Sequence, residues 1–159
     1  MLNGVLGVLR AMSRPFDSDP NLRVILKDLP VLGPDSRDAA KVSTAVRKLL
    51  SPKNFWTFHK ALLSSKDHIG KAEALKVAKS HGADMAIVQR EMDSQATTDA
   101  MNEVANLADT LKFHGTPAWV IGSSRLGGTI IDGARPVDDF KSKINSFRNC
   151  GKAACPNGP

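Results

Sequence analysis

Apolar positions along this chain change their spacing several times, and each change marks an element. Leu2, Val5, Leu6 and Leu9 recur at helical intervals and predict a helix over residues 2–13, weakened by two glycines. "FDSDPN" (16–21) is turn chemistry. "LRVILKDL" (22–29) is near-continuously apolar with β-branched residues in its middle, as a strand covered on both faces should be. "PVLGPDS" closes it with two prolines and a glycine.

Helical spacing then takes over. Ser36 is the expected N-cap of a helix carrying Ala39, Val42, Ala45, Val46, Leu49 and Leu50. Ser51-Pro52 restarts the chain, serine capping and proline taking the first helical position. Phe55, Trp56, Phe58, His59, Leu62 and Leu63 follow, crowding one face. Shorter helices fit 71–81, ended by Gly82, and 84–92, capped by Asp84. A longer one fits 95–114, with Met101, Val104, Leu107, Ala108 and Leu111 as its stripe and Gly115 as its stop. Strand signals return at Ala118–Ile121 and Thr129–Ile131, joined by a glycine- and serine-rich link that predicts a hairpin. Pro136 opens a last helix, with Val137, Phe140, Ile144 and Phe147 at steps of three and four. Beyond it, "GKAACPNGP" is too polar and too rich in glycine and proline to pack.

The order helix, strand, several helices, strand, strand, helix predicts an α/β chain. It is a thioredoxin-like core whose first strand is missing and into which a helical block, about 35–114, is inserted. At 159 residues the chain has room for one domain, taken as 1–149, with 150–159 as a flexible tail.

Composition narrows the function classes. Apolar residues make up 42% and charged residues 24%, ordinary for a soluble globular chain. No apolar run reaches the ~20 residues a membrane span needs. "MLNGVLGVLR" has no basic residue ahead of its apolar stretch and no small-residue cleavage site, so it does not read as a signal peptide. The net charge of +6 is spread between Arg10 and Lys152, interleaved with 16 acidic residues. With no Tyr, and neither Trp in a basic strand, the charge reads as a solvated surface rather than a specific nucleic-acid site.

Candidate chemistry is sparse. The proline of "HGTPAWVIG" stands at the mouth of a strand, where it is either a trans residue at a strand start or part of a cis turn. Cys150 and Cys155 either close a small disulfide or stay reduced and idle. They follow the end of a helix, whose negative pole raises thiol pKa, so they are poor nucleophiles. Two cysteines without a His-x3-His partner make half a zinc site, so no metal or other cofactor is expected. His59 reads as a packed or rim residue; His68, His81 and His114 fall near helix ends. No Ser-His-Asp set, paired carboxylates or phosphate loop stands out.

From about Asn21 to Phe147 the chain resembles the DsbA-like disulfide oxidoreductase family. "LRVILKDLPVLGPDS" is similar to that family's second strand and the loop after it. "FWTFHKALL" is similar to its first aromatic-rich inserted helix, "GTPAWVIG" to its cis-proline loop and third strand, and "GARPVDDFKSKI" to its last helix. The resemblance implies a cis Thr116–Pro117 peptide, with the Thr116 backbone turned outward to pair with an extended substrate. The family's Cys-x-x-Cys, at the start of the first core helix, has no counterpart here. Met1 already falls inside what should be that helix, so the missing stretch would end a few residues upstream.

Two readings follow. In one, Met1 is an internal methionine or a fragment boundary, and the intact protein carries the strand and the motif. In the other, the chain is complete and redox-inactive. The resemblance implies dithiol–disulfide exchange on unfolded or extended polypeptides, with a redox partner protein, in the bacterial periplasm; a complete chain without a leader would be cytoplasmic. As written, the chain is expected to be inactive. The alternatives are a non-redox peptide-binding module and a glutathione-using isomerase of the same fold.

Overall fold

A computed structural model describes residues 19–123 and 125–155. The helix expected over 2–13 lies outside the described residues. The chain divides into two units, Val24–Lys112 and the remainder, Met1–Arg23 with Phe113–Pro159.

The unit Val24–Lys112 is helical. Its first helix, α1 (Pro34–Leu49), begins three residues earlier than expected. Gly33, at φ 94°, is the N-cap and makes no side-chain cap, and Ser36 lies inside the first turn. Pro34, with φ preset for the first helical position, starts the helix that Ser36 was expected to start. Next comes α2 (Pro52–Leu63), capped by Ser51, whose Oγ accepts from the Asn54 N–H at 3.3 Å. The third helix, α3 (Lys71–Ser80), ends just before Gly82 (φ 82°). The fourth, α4 (Met85–Met92), is capped by Asp84, whose carboxylate accepts from the Ala86 and Ile87 N–H groups.

The fifth helix, α5 (Gln95–Thr110), stops short of the expected Gly115. Leu111 is its C-cap and Lys112 takes the left-handed turn at φ 56°. Of its stripe, Ala108 is buried but Leu107 is exposed.

Val42, Ala45 and Val46 of α1 meet Phe58 of α2, Ala74 and Ala78 of α3 and Val88 of α4 in one core, each of them fully buried. A large side chain so placed contributes about 1.5–3 kcal/mol through the water it sheds.

The strand expected over 22–29 does not form. These residues belong to no ladder. Side chains hold the segment in place of strand partners. The Arg47 guanidinium donates to the Leu26 carbonyl, Ser43 donates to Asp28, and Lys27 pairs with Glu103 at 2.7 Å. An apolar run supplies strand propensity, but a strand exists only where a neighbour completes its hydrogen bonds.

In the other unit, β1 (Ala118–Ser123) and β2 (Gly127–Asp132) pair antiparallel, from Ala118 opposite Asp132 to Ser123 opposite Gly127. Alternation puts Trp119, Ile121 and Ile131 on one face, against Phe140 and Val137 of α6 (Val137–Cys150). Trp119 meets Phe140 edge-on, with ring centres 4.9 Å apart. Val120 and Ile130, opposite each other on the other face, are exposed. Pro136 is the N-cap of α6, and Asp138 and Asp139 in the first turn suit the positive pole there.

Candidate functional site

Because α5 ends at Thr110, the residues after it are free to shape the approach to β1. The peptide bond between Thr116 and Pro117 is cis. The Pro117 carbonyl accepts from the Gly133 N–H at 2.8 Å, and Trp119 Nε1 donates to the Gly133 carbonyl at 3.2 Å. The loop is thus fastened on its β2 side. Thr116 is exposed, and among the described residues neither its N–H nor its carbonyl has a hydrogen-bond partner.

A shallow cleft of about 240 Å3 opens here, lined by His114, Gly115, Thr116, Pro117, Asp132 and Gly133. It offers an incoming chain one backbone donor, one backbone acceptor, a carboxylate and an imidazole. That set suits an extended peptide, whose own backbone needs a partner for each group. No thiol stands among these lining residues.

Cys150 and Cys155 are joined in a disulfide, with Cα atoms 5.9 Å apart. They are the only cysteines in the sequence and stand at the end of α6, five positions apart. No Cys-x-x-Cys exists in the 159 residues. The residues after Cys150 are tied back by this bond, and the Cys155 Sγ lies 3.6 Å from the Ser146 carbonyl oxygen.

Within the helical unit lies a buried polar cluster that the sequence did not announce. His59 of α2 has Nδ1 3.5 Å from Asp28 Oδ1, too long for a good hydrogen bond, and that nitrogen is otherwise unpartnered. Ser43 Oγ donates to the same carboxylate at 2.7 Å, and Arg47 reaches it at 3.6 Å while lying over the Phe55 ring. Burial pushes the His59 pKa below its usual range; the Asp28 charge pulls it up and Arg47 reinforces the fall. Serine, histidine and aspartate meet here in the wrong order for catalysis. Asp28 stands between the other two, so the Ser43 hydroxyl donates its hydrogen bond to the carboxylate and has no imidazole partner. The one early sign was Asp28 itself, a charge within an apolar run; Ser43 and Arg47, four apart on α1, gain meaning only once the helix is placed.

A second cleft, of about 380 Å3, is lined by Ile130, Ile131, Asp132, Arg135, Asp139 and Lys143. Its two acids and two bases offset one another and favour no ligand charge. Among the described residues no three His, Cys, Asp or Glu side chains gather to hold a metal. No helix of the described residues is long and apolar enough to cross a membrane.

A family model of the DSBA-like thioredoxin domain matches residues 11–145, most of the sequence. The chain belongs to this family. The DSBA-like assignment carries the thioredoxin-like fold with it, and two solved structures share that fold. A thioredoxin-like oxidoreductase from Silicibacter pomeroyi DSS-3 superposes with a TM-score of 0.79 at 24% identity, covering 92% of this chain and 80% of its own. Proteus mirabilis ScsC in a compact conformation gives 0.73, also at 24% identity, over 92% of this chain and 77% of its own. No curated protein matches the sequence. DSBA-like membership brings with it the disulfide-oxidoreductase class.

Proposed function

We propose that this chain is the substrate-holding part of a DsbA-like thiol–disulfide oxidoreductase, and that by itself it does not catalyse disulfide exchange on polypeptides. The observation that carries this reading is Thr116, whose backbone N–H and carbonyl stand unpaired at the cleft beside Pro117. An extended or unfolded polypeptide satisfies both groups by pairing alongside. Exchange would need a thiolate near that peptide, at a helix N-terminus that lowers its pKa. Both cysteines of this sequence are instead joined in a disulfide at the C-terminal end of α6. The disulfide and the family together favour an oxidising compartment, and the bacterial periplasm fits.

The 159-residue chain is expected to leave insulin unreduced in the presence of dithiothreitol, at the rate of the uncatalysed control. Acceleration of insulin precipitation, or oxidation of a dithiol test peptide over many turnovers per chain, would overturn the reading that the chain is not catalytic.

A second reading is favoured by the same Thr116 backbone: a peptide-holding module whose role ends at binding. It differs in the behaviour of longer forms of the protein. A form extended upstream that shows no exchange activity supports the holding module; one that shows it supports the oxidoreductase. The glutathione-using isomerase stands as a variant of the oxidoreductase, and its serine-for-cysteine motif would likewise lie outside these residues.

A further inference from the structure

The disulfide at the end of α6 has two unlike sulfurs. Cys150 is the last residue of the helix and exposed; Cys155 is half-buried, its Sγ against the Ser146 carbonyl. Between them, Gly151 takes φ 70° and donates its N–H to the Phe147 carbonyl at 3.0 Å. Leu126, from the turn joining β1 and β2, lies so close that a Cβ on Gly151 would stand 2.8 Å from its Cδ1. Residues 152–155 bring only two alanines and a lysine besides the cysteine, too little apolar area to hold the segment down. The covalent bond holds it. A loop this short constrains the unfolded chain little, so the effect of the bond is local.

We propose that Cys150–Cys155 is a thiol-exchange site, opened by small-molecule thiols that attack Cys150, and that its opening releases residues 152–155 from α6. Access selects the sulfur, because a thiolate must approach along the S–S axis and only Cys150 is exposed. In the first step the thiolate RS⁻ bonds to Cys150 Sγ, the Cys150–Cys155 bond breaks, and Cys155 leaves as a thiolate that takes a proton from solvent. In the second step another thiolate attacks the mixed disulfide, giving RSSR and a Cys150 thiolate that is protonated in turn. The disulfide is reduced by two electrons and two thiols are oxidised. The leaving Cys155 thiolate faces a carbonyl oxygen near the negative pole of α6, which makes exchange slow and favours reclosure.

The test uses the intact chain and glutathione as probe, with acid quenching at short times and trypsin mapping. Cleavage after Lys152 separates the two cysteines, so the glutathione mass is assigned to one of them. The expected result is glutathione on the Cys150 peptide, on the order of tenfold above the Cys155 peptide. On full reduction, the heteronuclear NOE of residues 152–155 should fall to values of a free tail. Glutathione on Cys155, equal labelling of both, no exchange, or an unchanged NOE would each overturn the proposal.

Discussion

His59 has only 7% of its surface exposed, with Asp28 as its one acidic neighbour in the cluster and Arg47 beside it. Its folded pKa lies below the ordinary 6.5 because burial disfavours the imidazolium. Between the folded and unfolded values the unfolded chain binds the extra proton and the folded chain does not. Stability is therefore intact above 6.5 and is lost as pH falls from there through the folded pKa. The urea midpoint is expected to drop between about pH 7.5 and 5.5, and His59→Gln should flatten that slope. Asp19, Asp67 and Glu103, lowered from 3.8 and 4.5 by Arg148, Lys76 and Lys27, act at more acid pH and do not confuse the reading. An unchanged slope in His59→Gln would remove His59 from the account. That His59 packs was legible from its place among Phe55, Phe58 and Leu62; that it faces Asp28 was not, because 31 positions separate them in sequence and only the fold joins them.

The hairpin shows at the scale of elements how far the pattern reaches. The two apolar runs and the glycines between them announced two strands, and both form, each longer than its apolar stretch because backbone pairing continues past the last buried side chain. Gly122 opposite Gly128 is where this matters. A Cβ on Gly122 would stand 2.2 Å from the Gly127 carbonyl oxygen and 2.5 Å from the Gly128 Cα, backbone atoms that cannot step aside. Gly122→Ala is expected to cost about 1–3 kcal/mol in chemical denaturation. Gly115→Ala, with open space around it, should cost far less, and equal losses would argue against this packing. Two other elements departed from the pattern for stated reasons. Residues 22–29 have strand composition but no ladder, and α5 ends four residues before its expected limit because Lys112 accepts a positive φ that glycine was expected to supply.

At the scale of the molecule, the order of elements was enough to indicate a thioredoxin-like α/β chain with a helical block, and the family match agrees. The Thr116–Pro117 loop was visible as a proline at a strand mouth; its fastening through Gly133 and Trp119 was not, since those hydrogen bonds arise from the hairpin register. The division of labour proposed here places peptide binding at that loop and leaves the chemistry to residues outside this sequence. The most direct measurement is a titration of the 15N-labelled chain with a cysteine-free unfolded polypeptide. The account predicts that the Thr116 amide, unpaired in the free chain, shifts first and saturates, with the resonances of Gly115 and Gly133 around the cleft following. Binding that moves amides of α1 to α5 while Thr116 stays in place, or no binding at all, would contradict it.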